Sequence, residues 1–197
     1  KIHLDLTVNN QSYYPFAVPF EVQNIKANIH YLDEYLDSAA TYSTHYQVLT
    51  YDGALRAENG LSDKNWVHVG RHTPQKPSYL VPGKGYAISA VPAKGETTTT
   101  IRISMDVDDD WFAGGEQISL DTIIRNQIAV TAHTGAAADK DLCNAGWNFV
   151  ANPYLTNFAA NNISGAGYIN GQIVVNNGKF EHNEEEIPYV TIPNANM

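Results

Sequence analysis

The stretch Gly146-Trp147-Asn148-Phe149-Val150-Ala151-Asn152-Pro153-Tyr154 decides how the chain is read, because Tyr14-Pro15-Phe16-Ala17-Val18-Pro19-Phe20 has already shown the same lettering. Each runs from an aromatic residue to a Phe two positions on, through small or branched apolar residues, to a proline followed by an aromatic. Each reads as a short apolar strand stopped by proline. A hairpin signal follows each: Val48-Leu49-Thr50-Tyr51-Asp52-Gly53-Ala54-Leu55 in the first half and Val174-Val175-Asn176-Asn177-Gly178-Lys179-Phe180 in the second. Asp-Gly and Asn-Gly between β-rich flanks predict a two-residue turn, since a type I′ turn needs two residues that tolerate positive φ. Two diverged β-modules in series are expected, over residues 1–135 and 136–197, with the small-residue stretch 136–139 as boundary.

The repeat also exposes a gap. In the first half Trp66 follows the turn, and Tyr79-Leu80-Val81-Pro82-Gly83-Lys84-Gly85-Tyr86-Ala87-Ile88 comes later as a strand entered through a glycine-rich kink. In the second half Pro188-Tyr189-Val190 takes the place of Trp66, and the sequence stops at Met197 before any counterpart of that strand. The second module is therefore expected to be truncated and to leave an unpaired strand edge around Val150 and Val174 that recruits another strand.

Thr, Val, Ile and Tyr are plentiful, and no window of a dozen residues keeps a 3.6-residue apolar period between caps. Residues 1–8 alternate, apolar at even positions, as a half-buried strand does. Pro15 and Pro19 place residues 13–22 at a sheet edge or at a bend between sheets, where a missing N–H is tolerated. The stretch 25–36 fits both a helical stripe and a strand, and its Tyr and Ile content favours strand. Residues 45–50 and 54–57 are expected to form a hairpin around Asp52-Gly53, with further strands at 65–69, 86–91, 97–107 and 119–131. The strand at 97–107 places Ile101, Ile103 and Met105 on one face. The fold class expected is all-β, a β-sandwich with jelly-roll-like or Greek-key connections.

Tyr14-Pro15-Phe16-Ala17-Val18-Pro19-Phe20-Glu21-Val22, Tyr51-Asp52-Gly53-Ala54-Leu55-Arg56-Ala57, Asn65-Trp66, Pro82-Gly83-Lys84-Gly85-Tyr86 and the stretch at 146–154 together resemble the β-modules of large secreted and cell-surface proteins of Bacteroidetes. The likeness covers most of residues 13–192, with two departures: Pro15 stands where an aromatic or polar residue is common, and Ala151 where Gly is common. The resemblance implies an extracellular or cell-surface location and a non-enzymatic structural or adhesive role. Its alternative is a glycan-binding accessory module of a surface polysaccharide-processing protein. Partners implied are other modules of the same polypeptide or other surface proteins, with glycans under the alternative. No catalytic residues come with it.

Composition narrows the classes further. A net charge of −9 and scarce Lys and Arg argue against nucleic acid, because phosphate contacts need clustered cations. Cys143 is alone, so neither an intrachain disulfide nor a Cys-rich zinc site can form, and it reads as a small buried apolar residue. No apolar run of 18 residues exists to span a membrane as a helix.

No nucleophile elbow, His-Glu-x-x-His, dinucleotide-binding glycine motif or P-loop occurs. Asp106, Asp108 and Asp110 in the run Asp106-Val107-Asp108-Asp109-Asp110 offer closely spaced oxygen ligands suited to Ca²⁺. The run lacks the central Gly and distal Glu of a helical calcium loop, so a solvated loop is the preferred reading, with calcium the sole cofactor candidate. Glu184-Glu185-Glu186 beside His182 reads as an exposed acidic loop. Of the three Trp, Trp66 and Trp147 sit in strand patterns and read as core anchors. Trp111, between the acidic run and Gly114-Gly115, is the one placed to stack on a pyranose ring. Ser38 in Asp37-Ser38-Ala39 and Thr122 in Asp121-Thr122-Ile123 resemble O-glycosylation acceptors of exported Bacteroidetes proteins.

Overall fold

The computed structural model describes residues 1–32, 44–69, 79–105, 128–130, 146–152, 163–165, 173–176 and 189–192. Within these the chain is mostly strand, and the sheets are antiparallel apart from one pair. A three-stranded sheet is built from β1 (Ile2–Val8), β4 (Ile29–Tyr31) and β9 (Thr99–Met105), with β9 central. A four-stranded sheet has the order β2 (Tyr14–Phe16), β8 (Tyr86–Ala90), β5 (Tyr46–Tyr51), β6 (Trp66–His68). β3 (Val22–Gln23) pairs with β7 (Tyr79–Leu80). Among the described residues two α-helical segments interrupt the strands: α1 (Ile25–Asn28) and α2 (Gly53–Asn59).

The three-stranded sheet follows directly from alternation. In the β1–β9 register Ile2 faces Met105, Leu4 faces Ile103 and Leu6 faces Ile101, while the intervening pairs His3–Ser104, Asp5–Arg102 and Thr7–Thr100 are polar. On that polar face His3 Nδ1 lies 3.1 Å from Ser104 Oγ, and Arg102 donates through Nε and Nη2 to the two carboxylate oxygens of Asp5 at 2.8 and 2.7 Å. The hydrogen bond from Arg102 holds the Asp5 carboxyl below its ordinary 3.8. On the other face Ile101, Ile103 and Met105 are buried. Each such side chain removed from water contributes about 1.5–3 kcal/mol.

The buried side chains of both sheets belong to one apolar cluster. Val8, Ile29, Tyr31, Ile101, Ile103 and Met105 from the first sheet join Phe16, Tyr46, Val48, Tyr86 and Ile88 from the second, with Val18, Val22, Ile25 and Leu80 completing it. Tyr31 is buried with its hydroxyl donating to the His45 carbonyl at 2.7 Å, and burial pushes its pKa up to about 12.

Several local expectations meet the structure unevenly. β2 carries Pro15 and is an edge strand of its sheet, where a missing N–H costs no ladder bond. The stretch from Ile25 splits, with a single helical turn first and then β4, so the strand reading holds for Ile29–Tyr31 and fails for Ile25–Asn28, while 33–36 lie outside the described residues. β8, an inner strand of its sheet, is buried at Tyr86, Ala87, Ile88 and Ala90, so positions on both of its faces are covered.

The hairpin around Asp52-Gly53 does not form. Asp52 instead caps α2: its Oδ1 accepts from the amides of Ala54 at 2.9 Å and Leu55 at 3.2 Å. Ala54, Leu55, Arg56, Ala57 and Glu58 are all good helix formers, and together they outweigh the turn preference of the dipeptide. Gly60 closes the helix at φ 69, donating to the Arg56 carbonyl at 2.9 Å. A 3-10 turn, Asp63–Asn65, then returns the chain, so that Tyr51 still pairs with Trp66 across the β5–β6 ladder.

Beyond Met105 the described residues are short. β10 (Ile128–Val130) runs parallel to β11 (Ile163–Gly165), and β12 (Ile173–Asn176) pairs antiparallel with β13 (Tyr189–Ile192). The β10–β11 pair and a bridge between Lys84 and Val150 both join chain from either side of the boundary expected at 135/136. Among the described residues no helix is long and apolar enough to cross a membrane.

Candidate functional site

The residues that attracted attention in Tyr51-Asp52-Gly53-Ala54-Leu55-Arg56-Ala57 and Asn65-Trp66 converge on one corner, where β5 leaves the four-stranded sheet and β6 rejoins it. Asp52 N donates to the Asn65 carbonyl at 2.8 Å, closing the base of the excursion. Asn65 is fully buried and donates from Nδ2 to the Gly60 carbonyl at 2.7 Å and to the Tyr51 hydroxyl at 3.4 Å. Arg56 donates from Nη1 to the same hydroxyl at 3.0 Å. Gly53 and Ala57 are the buried positions of the helix, while Ala54 is exposed. The motif thus works as a single hydrogen-bonded unit that fixes where Arg56 and Trp66 stand.

Beside this corner lies a slot. The backbone of residues 81–85 is held from below by two side chains of the sheet: the Tyr86 hydroxyl accepts from Val81 N at 2.8 Å, and Thr50 Oγ1 donates to the Gly85 carbonyl at 3.0 Å. Gly83 sits at φ 81, in the left-handed region that glycine enters without strain. From the other side comes the segment 146–152. Gly85 N donates to the Phe149 carbonyl at 2.8 Å, Ala151 N to the Gly83 carbonyl at 3.4 Å, and Lys84 bridges Val150 in antiparallel sense.

The side chains of that segment complete the fit. A Cβ placed on Gly85 would come within 2.6 Å of Cδ1 of the Phe149 ring, so the ring occupies the space left by the missing side chain. Phe149 meets Trp66 edge to face at 5.4 Å between centroids, and Trp66 meets Tyr51 likewise at 5.1 Å. The Arg56 guanidinium carbon stands 4.1 Å from the centroid of Trp147 and 6.0 Å from that of Tyr51, within cation–π range of both rings.

No family model, curated protein or solved structure matches the chain.

Trp66 and Trp147 depart from the core-anchor expectation. Trp66 is 37% exposed and lies on an edge strand, and Trp147 is only partly buried and lies outside any strand. Neither belongs to the apolar cluster: Trp66 packs against Tyr51 and Phe149 at the slot, and Trp147 against Arg56. Trp111, the aspartates Asp106, Asp108 and Asp110, the acceptors Ser38 and Thr122, Cys143 and the run Glu184-Glu185-Glu186 lie outside the described residues. Among the described residues no three His, Cys, Asp or Glu side chains come together in a way that could hold a metal ion.

Arg56, Gly85 and Phe149 stand within the motifs quoted from the sequence, but none was given a contact or role of its own there. For Gly85 a signal existed: an isolated glycine inside a strand pattern marks a bulge or a close approach of another backbone. The glycines of Pro82-Gly83-Lys84-Gly85 indicated a kink, and at Gly85 the close approach was the operative reading.

Proposed function

We propose that the chain is a non-enzymatic structural or adhesive module of a secreted or cell-surface bacterial protein, resembling the β-modules of Bacteroidetes surface proteins. In this reading it is a β-sandwich with jelly-roll-like or Greek-key connections, in two diverged modules over 1–135 and 136–197. The observation that carries it is how the motif residues are used. Asp52 caps a helix, Arg56 and Asn65 bond the Tyr51 hydroxyl, and Trp66 packs against Tyr51 and Phe149, so the group is devoted to joining parts of the chain. The repeat gains support from register: Tyr51 pairs with Trp66, and Asn176 pairs with Tyr189, the residue aligned with Trp66 in the second half.

The test is immunolabelling of the source bacterium with antibody raised against the chain. Labelling of intact cells is expected; labelling only after permeabilisation would overturn the surface reading, and turnover of a polysaccharide by the purified chain would overturn the non-enzymatic one.

A second reading, a glycan-binding accessory module, is favoured by the exposure of Trp66 beside Tyr51 on the edge of the four-stranded sheet, since aromatic faces stack on sugar rings. A glycan array probed with the wild-type chain, Trp66→Ala and Trp111→Ala separates the two. Binding lost in either variant supports the glycan reading, and no binding by the wild type removes it.

A further inference from the structure

The geometry points to a strand-exchange site: the edge at Gly83–Gly85, walled by Arg56 and Trp66, accepts the 146–152 segment of a second copy of this chain in place of its own. This inference stands apart from the surface-module reading, because it depends only on the slot and its occupant.

The slot selects an extended segment with two aromatic residues at alternate positions. In an extended chain residues i and i+2 lie on the same side, which lets Trp147 reach Arg56 while Phe149 fills the void over Gly85. The backbone bonds from Gly85 N and to Gly83 O are those of strand addition, in which main-chain pairing gives affinity and side-chain pockets give selectivity. Gly146, at φ 79, adopts a left-handed backbone conformation just before the segment.

Two features make exchange accessible. The pairing is an isolated bridge, Lys84 with Val150, and not a ladder, so it belongs to the contacts that open locally before the core does. The donor also lies far along the chain from the slot, past Met105 and the end of β9, so the slot and the segment are not neighbours in sequence. None of the contacts named above depends on which copy supplies the segment, and an element that can be exchanged without loss of contacts is the raw material of domain swapping.

The experiment uses complementary full-length variants. Trp147→Ala with Phe149→Ala makes a chain with an open slot and a crippled donor; Gly85→Val makes one with a blocked slot and a free donor. Sedimentation of each alone should give monomer, and a mixture should give a one-to-one dimer. A labelled peptide of residues 145–152 should bind the Trp147→Ala/Phe149→Ala chain at least tenfold more tightly than the wild type, whose slot is filled. Adding Gly85→Val to that variant should weaken peptide binding at least tenfold again. In the wild-type chain, unlabelled peptide in excess should speed hydrogen exchange at the Ala151 amide and slow it at Gly85, a readout that needs no variant to fold. Variants that melt cooperatively yet form no mixed dimer and bind no peptide would overturn the proposal, as would a wild-type chain whose Ala151 and Gly85 amides ignore added peptide.

Discussion

In the β1–β9 pair burial follows the apolar residues, with Thr99 and Ser104 as buried polar exceptions: Ile101 and Ile103 are fully buried, while Asp5 and Arg102 meet each other at the surface. In the corner between β5 and β6 the order is reversed. There Asn65 is fully buried and Trp66 is more than a third exposed. The sheet is held by area removed from water, which is non-directional and forgiving of detail. The corner is held by directed hydrogen bonds around Tyr51 and Gly60, with Asn65 Oδ1 and Arg56 Nε buried without a partner, and such a network is sensitive to single atoms. The difference teaches that each region should fail in its own way when perturbed.

The largest loss is expected in the sheet. Ile103→Ala removes a fully buried side chain packed between Leu4 and Ile29 in the ladder, and should cost about 2–5 kcal/mol, or roughly 10 °C in melting temperature. Thr7→Ala on the opposite face should be close to neutral, and equal losses at the two positions would break the comparison. Next comes the corner. Asn65→Ala removes almost no apolar contact but orphans the Gly60 carbonyl, so about 1–3 kcal/mol should be lost, measured by denaturant unfolding. If the loss is negligible, the buried amide is not what holds the corner.

A smaller effect separates the helix cap from a hairpin turn. Asp52→Ala should cost about 1 kcal/mol, and Asp52→Ser should recover most of it, because a serine hydroxyl can accept from the same amides. A hairpin turn would gain nothing from Ser. The smallest effect concerns Asp5 and Arg102, which are 40% and 37% exposed and therefore well screened. The folded Asp5 carboxyl is held below 3.8, so its contribution is fully present above that value and is lost as pH falls through the lower folded value. Asp5→Asn should leave the melting temperature nearly unchanged at pH 7 and flatten its decline below about pH 4; a large change at neutral pH would show the pair to be less screened than its exposure implies.

The same contrast explains what could be read from sequence. β1 and β9 were legible because a two-residue apolar period leaves few alternatives, and β2 was legible as an edge because Pro15 cannot donate to a central ladder. Asp52-Gly53 was misread because its chemistry serves two geometries: a residue that accepts hydrogen bonds from nearby amides suits a turn and a helix cap alike. What decided it was the run of helix formers that follows, together with Asn65, whose amide holds the far end of the excursion. Trp66 was misread as core because a strand pattern does not tell an edge strand from a central one. The slot was hardest to foresee. Gly85 and Phe149 explain each other only once they are in contact, and no local period links residues so distant in sequence.

That contact is also where the account is most exposed. Bridge partners in an antiparallel pair have Cα atoms about 4.5–5.5 Å apart, within the range of about 4.4–6.8 Å that a disulfide spans. In a Cys143→Ser background, Lys84→Cys with Val150→Cys should therefore form an intrachain disulfide under mild oxidation of the dilute folded protein, seen as a two-hydrogen mass loss on a monomer. Both thiols remaining free in the folded monomer would contradict the docking of 146–152 on Gly83–Gly85, and with it the site built upon that docking.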